Sequence, residues 1–186
     1  MILTIRGTSG SGKSTIAFTL LKNFPFDKVL DDKGKILGYR VDAGLKKPIY
    51  LVGKYETACG GTDAISTQKE SCDRALRWAE AGGHVILEGL LLSGGGPKAE
   101  VTARVTETGD YCHCFLDTPV EICLDRVRAR RAAKGNDKPL NTANTEMKFD
   151  QCVSTYKTLR AEGYKVALID HTRAYNQVME ILGAAS

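Results

Sequence analysis

No apolar run in the 186 residues is long enough to span a bilayer, so no segment reads as a transmembrane helix. No signal peptide is expected either, because Met1 leads straight into the apolar, β-branched run Ile2 to Arg6. The six cysteines (Cys59, Cys72, Cys112, Cys114, Cys123 and Cys152) include no paired C-x-x-C. They sit mostly inside apolar patterns and read as reduced core residues of a cytoplasmic protein. Cys112-His113-Cys114 does not read as a metal site, since a strand puts the two cysteines on one face and the histidine on the other. A strong charge excess is also lacking. Charged residues make up 26% of the chain and the net charge is +4. That mild basicity suits an anionic substrate without requiring nucleic acid. With no internal repeat and no linker, residues 1–186 read as one domain.

What the chain does have comes first in its order. Gly7-Thr8-Ser9-Gly10-Ser11-Gly12-Lys13-Ser14-Thr15 fits G-x-x-x-x-G-K-[ST], the phosphate-binding loop. Its glycines let several backbone N–H groups converge on one anion at a helix N-terminus, where the helix dipole favours negative charge. In this pattern Lys13 reaches the β- and γ-phosphates of a nucleotide and Ser14 holds Mg²⁺. The context agrees, with a strand before the loop and Ile16, Leu20, Leu21 and Phe24 at helical spacing after it.

Further along, Lys28 to Leu30 and Lys35 to Val41 flank Asp31-Asp32-Lys33-Gly34 and read as a hairpin, with the aspartates as turn formers. Pro48 opens a strand to Gly53. A Gly-Gly pair, Gly60-Gly61, then precedes a helix carrying Ile65, Cys72, Leu76 and Ala79 on one stripe. Thr62 or Asp63 would cap that helix, or Asp63 would be catalytic. His84 to Gly89 is a buried-strand run ending in Glu88. This carboxylate would act through Mg²⁺ or a water, receive a proton, or simply bond nearby backbone. Leu90-Leu91-Leu92-Ser93-Gly94-Gly95-Gly96-Pro97 reads as a mobile lip over an acceptor or as a loose loop.

Positive charge is concentrated in one place. From Val120 to Lys138 there are six Lys/Arg against three acids, a net +3 of the chain's +4. Arg126, Arg128, Arg130 and Arg131 lie on a helix after Pro119, followed by a polar loop over 134–140. Such a segment would close over a polyphosphate with one or two arginines on it, or present a solvated basic face. A helix from Asn141 to Ala161 would bury Phe149, Cys152, Val153, Tyr156 and Leu159. A last strand, Tyr164 to Ile169, is followed by Asp170-His171-Thr172-Arg173 and a terminal helix. Alternating strands and helices imply an α/β fold, a parallel sheet with helices on both faces. Ligands then lie beyond the strand C-terminal ends, where the loop, Glu88, Asp117 and the segment after Ile169 meet.

This motif set resembles the P-loop kinases related to nucleoside monophosphate kinases, over nearly the whole chain. The resemblance implies a P-loop NTPase fold with a five-stranded parallel core in the order 2-3-1-4-5, a lid at about 126–140 and the hairpin as an insertion. It also implies ATP and Mg²⁺ as cofactors. Arg126 and Arg130 would lie on the phosphates, Thr172 and Arg173 near the adenine, and Ser14 and Glu88 at the metal. The usual Asp-Arg base-binding signature of nucleotide kinases is missing from the acceptor region. The stretch from Val52 to Asp63 and the Leu-Leu-Leu-Ser-Gly-Gly-Gly segment are instead similar to small phage P-loop kinases that phosphorylate 5-hydroxymethyluracil within DNA. That similarity implies a host-cytoplasmic enzyme acting on a flipped or single-stranded base. Asp63 would be the base for the hydroxymethyl proton, with Glu88 the second choice. Tyr55 would stack on the nucleobase or pack in the core, and Lys46, Lys47 and Lys54 would touch DNA phosphates or be ordinary surface lysines. A kinase for a free nucleotide or other small metabolite, and a nucleotide-binding switch without transferase activity, are the competing functions. The arginine cluster argues against the switch.

Overall fold

The computed structural model describes residues 1–57, 60–136 and 138–184, so Cys59 of the acceptor stretch and Asp137 of the basic segment lie outside the described residues. Seven strands form one sheet: β1 Ile2–Arg6, β2 Phe26–Leu30, β3 Ile36–Val41, β4 Ile49–Val52, β5 His84–Glu88, β6 Tyr111–Asp117 and β7 Val166–Asp170. Their order is β2-β3-β4-β5-β1-β6-β7. From β4 to β7 every neighbouring pair is parallel, whereas β3 runs antiparallel to both of its neighbours, β2 and β4. The sheet is therefore mixed and larger than five strands, because the hairpin joins its edge through β3 instead of standing apart from it. The Asp31 carboxylate accepts from the Lys33 and Lys35 N–H groups and so shapes the hairpin turn.

β1 is central, and all five of its residues are buried. Alternation decides which way each side chain points. Leu3 and Ile5 pack with Ile16, Leu20 and Val178 on one face, under helices α1 (Lys13–Asn23) and the terminal Ala174–Ile181. Ile2 packs with Val85, Leu87, Cys72 and Trp78 on the other. Helix α2 runs Gln68–Glu80, later than the sequence suggests. Thr67 caps it, its hydroxyl accepting from Glu70 N at 3.1 Å, so neither Thr62 nor Asp63 does. Those two residues form a 3-10 turn, Thr62–Ala64, turned instead toward the end of β5.

The Leu-Leu-Leu-Ser-Gly-Gly-Gly segment is a helical turn followed by a glycine stretch tethered at Gly95. Leu90–Ser93 is one helical turn, α3, and α4 (Glu100–Thr106) follows shortly after. Arg6, at the end of β1, holds the glycines down. Although fully buried, its guanidinium donates to Gly95 O at 2.6 Å and Thr102 Oγ1 at 2.8 Å, and lies over the Phe115 ring. Burial lowers Arg6 to about 10. It still stays cationic, and the carbonyl, hydroxyls and ring together replace the water it has lost.

Helices α5 (Val120–Ala132) and α6 (Ala143–Ala161) complete the fold, and with them the terminal helix is α7. In α6 only a narrow stripe packs. Cys152 and Leu159 are buried against Phe115, whereas Val153, expected in the core, is exposed. His113 accompanies Thr4 on one side of β6 while Cys112 and Cys114 share the other, as the strand period requires. Among the described residues no helix is long and apolar enough to cross a membrane.

Candidate active site

Strand β1 ends at the sheet's C-terminal edge, and residues 7–12 wrap there before α1 begins. Gly12, at φ 103°, is the N-cap residue. Gly10 has φ 82°, and a Cβ on it would run into the Cys123 carbonyl, so α5 sits directly against the loop. Ser9, Gly10, Gly12, Lys13, Ser14 and Thr15 line a cavity of about 380 Å³. Gly7, Thr8 and Ser11 do not, since they hold the loop from behind. Thr8 Oγ1 donates to Thr145 O at 3.0 Å, Ser11 O accepts from Thr118 Oγ1 at 2.9 Å, and Gly7 N donates to Ser93 Oγ at 2.9 Å. Ser93 also donates back to Gly7 O at 2.8 Å. Nothing in the sequence announces this clamp, because its partners stand 86 positions apart.

Lys13 is 8% exposed, and its ammonium donates to Gly7 O at 2.8 Å and Thr8 O at 3.0 Å. Burial pulls its pKa down, opposed by the charges of Glu88 and Asp63. Glu88 closes the same cavity from the end of β5. It is 1% exposed and accepts from Ser14 Oγ at 2.8 Å. Burial pushes Glu88 up to about 7, against the pull of Lys13 and the Ser14 hydrogen bond, while the nearby Asp63 carboxylate adds to the rise. Ser14 and Glu88 are a pair of hard oxygen donors beside an anion-binding loop. That is the limited protein share of coordination that Mg²⁺ takes when phosphates supply the rest, so the residues fit the ion.

Asp63 is exposed and lines the cavity across from the loop. It is a cap after all, but for α3, because its carboxylate accepts from Leu90 N at 2.9 Å. Gly61 makes this convergence possible. At φ 72°, a Cβ there would collide with the backbone and carboxylate of Glu88. Gly61→Ala is therefore expected to destabilise the protein by about 1–3 kcal/mol and to displace Glu88, read as a lower denaturation midpoint together with lower turnover. An unchanged midpoint would mean that the turn relaxes freely.

Of the four arginines on α5, Arg126 and Arg130 line the cavity. Arg126 donates to Gly10 O at 3.1 Å. Arg128 turns away to Asp125, and Arg131 to Asn136 and Lys138 O. Thr172 lines a smaller adjoining cavity of about 140 Å³ with Gly12, Thr15, Arg126 and His171. Arg173 does not reach it; its guanidinium is exposed and lies 3.8 Å from Glu180. Tyr55 is buried edge-on against Phe18 and beside Tyr39, so packing and not stacking on a ligand is its role. Its hydroxyl sits beside Glu88 and Asp63 without a full hydrogen bond among the described residues. Phe18, Gly60 and Leu90 also line the main cavity. Of these three, Gly60 and Leu90 stand in stretches that the sequence singles out, and Phe18 does not.

No family model matches the chain. It is, however, 38% identical to the 5-hmdU DNA kinase of Pseudomonas phage PaMx11, over 98% of this chain and 97% of that one. The chain belongs to the 5-hmdU DNA kinase family. Another member, from Delftia phage PhiW-14, is 34% identical over 80% of this chain and 59% of its own length. Pseudomonas phage M6 has one that is 27% identical over 90% of this chain. Two solved structures share the fold at a TM-score of 0.51. Deoxyadenosine kinase from M. mycoides with bound dATP is 12% identical over 99% of this chain and 100% of that one. The Deinococcus radiodurans tunicamycin resistance protein is 16% identical over 99% and 96%. Membership in the 5-hmdU DNA kinases thus rests on sequence identity, and the structural likeness speaks to architecture alone.

Proposed function

We propose that this chain transfers the γ-phosphoryl group of ATP to the hydroxymethyl oxygen of 5-hydroxymethyluracil carried in DNA. The observation that carries this is the single cavity in which Lys13 and the loop face Asp63 and Glu88, within a chain 38% identical to a 5-hmdU DNA kinase. Loop amides and Lys13 hold the β- and γ-phosphates, with Arg126 and Arg130 on the charge that develops during transfer. The hydroxymethyl oxygen forms a bond to the γ-phosphorus as the bond from that phosphorus to the β-phosphate oxygen breaks, releasing ADP. Asp63 accepts the hydroxymethyl proton. Ser14 and Glu88 hold Mg²⁺, which when bound neutralises charge on the phosphates. Thr172 lies on the adenine side, and the segment over 126–140 acts as the lid of a single domain. The run β4-β5-β1-β6-β7, counted without the hairpin, supports reading the sheet as a kinase core of order 2-3-1-4-5. The host cytoplasm supplies the ATP and the DNA.

γ-Labelled ATP with Mg²⁺, offered duplex DNA containing hydroxymethyluracil, thymine DNA and a panel of free nucleosides and nucleotides, tests this directly. Label is expected in the modified DNA alone, with a rate that falls steeply with added salt because DNA binding releases counterions. Label in a free nucleotide, with none in DNA, would make the chain a small-molecule kinase.

Asp63→Asn separates the two roles of that residue. The amide oxygen can still accept from Leu90 N, so α3 stays capped, but the proton acceptor is gone. Turnover is expected to fall by about 10²–10⁴, with nucleotide affinity and thermal midpoint nearly unchanged. A loss of folding with no separate catalytic effect would leave only the cap.

A further inference from the structure

A base inside a duplex cannot reach a cavity floored by Lys13 and Glu88 unless it leaves the stack. Flipping leaves a gap, and proteins that unstack DNA fill or force such gaps with an exposed apolar side chain on a rigid support. Leu91 fits that description. It is 64% exposed, more than any other large apolar residue among those described. Phe26, Leu30, Met147, Val153 and Leu168 are the others, and they lie on β2, α6 and β7, none of them on a segment that lines the main cavity through a neighbouring residue. Leu91 stands directly beside Leu90, which does line it. It also borders a shallow cleft with Thr62 and Ile65, on the far side of Asp63.

The support under Leu91 is stiff. Leu90 N is held by Asp63, Leu92 is buried in the core, Ser93 is clamped to Gly7, and Gly95 O is held by the buried Arg6. Four anchors within six residues hold this leucine in water. Just beyond it, Gly96 has open space where a Cβ would stand, and the exposed Lys98 makes no ion pair among the described residues. A phosphate backbone can approach there.

Resting on the DNA-kinase reading above, we propose that Leu91 is the wedge that enters the base stack of duplex DNA as the hydroxymethyluracil swings into the cavity. It is a positioning residue that touches neither the nucleotide nor the acceptor oxygen.

The test compares one hydroxymethyluracil oligonucleotide as a single strand and as a fully paired duplex, with wild type, Leu91→Ala and Leu91→Phe. Leu91→Ala is expected to keep the single-strand rate and lose about tenfold or more on the duplex. Leu91→Phe restores the duplex rate. A 2-aminopurine placed next to the target in the duplex brightens with wild type and Leu91→Phe, and stays quenched with Leu91→Ala. Equal loss on both substrates, or no loss on either, overturns the wedge, as does a Leu91→Ala change in sedimentation of the DNA-free protein, which would assign the leucine to a contact between copies. Wild-type transfer to the single strand and not to the duplex overturns the wedge while leaving the DNA acceptor standing. Wild-type transfer to no DNA at all overturns both.

Discussion

Lys13→Ala is expected to lower phosphoryl transfer by about 10²–10³ or more, measured as label transferred per enzyme at saturating acceptor. Among the described residues Lys13 is the one ammonium built into the cavity wall, held by Gly7 O and Thr8 O at the point where the loop enters α1. Its charge is desolvated, so it would act on a phosphate at close range with little screening. The substitution also strips two loop carbonyls of a donor, which would confuse a simple reading of lost activity. Lys13→Met keeps most of the buried stem and isolates the charge. Both variants should lose transfer to a similar degree while their far-ultraviolet spectra match the wild type. Transfer at the wild-type rate in either would refute the phosphate-binding role of the loop.

Glu88→Gln should move activity and stability in opposite directions. Turnover is expected to fall at least about 10- to 100-fold, since the glutamine can still accept from Ser14 but carries no charge for a divalent cation. Stability should rise, and the sign follows from the raised pKa. Below about 4.5, the ordinary value, Glu88 is protonated in both folded and unfolded chains and costs nothing. Between 4.5 and about 7 the unfolded chain releases the proton while the folded one keeps it, so stability falls as pH rises. Above 7 the whole cost of a buried carboxylate is present, about 3 kcal/mol at the upper end. Without nucleotide or Mg²⁺, the variant should therefore denature at a higher temperature than wild type at pH 8, and the gain should vanish near pH 4. A variant no more stable at pH 8 would show that Glu88 is well solvated in the folded protein. The trade reflects a site kept costly by a charge that Lys13 and Ser14 offset only in part.

Much of this was legible in the residues. The loop pattern, the strand before it and the helical spacing after it put Lys13 and Ser14 where the structure has them, because all three are local. Glu88 at a strand end followed from a short apolar run closed by a carboxylate and glycine. The basic cluster was also visible, although four arginines in six positions point to different sides of a helix and only their packing sorts Arg126 and Arg130 from Arg128 and Arg131. Where expectation went astray, a distant partner had intervened. The helix after Gly61 starts later because Thr62 is drawn to Glu88 O and Asp63 to Leu90 N. The run of three glycines is tethered at Gly95 O by a buried arginine from β1, a partner 89 positions away.

The sequence by itself determined that this protein has a phosphate-binding loop, an α/β layout and an acidic residue at the end of a neighbouring strand. Local hydrogen bonding, glycine spacing and apolar period encode all three within a few residues of each other. Only the tertiary structure decided which carboxylate caps α3, which arginines face the cavity, why Tyr55 packs against Phe18 and Tyr39, and that Leu91 stands exposed on an anchored turn beside the main cavity. Those outcomes depend on strands adjacent in the sheet but far apart in the chain, where burial and hydrogen-bond satisfaction are settled by neighbours that no local pattern contains.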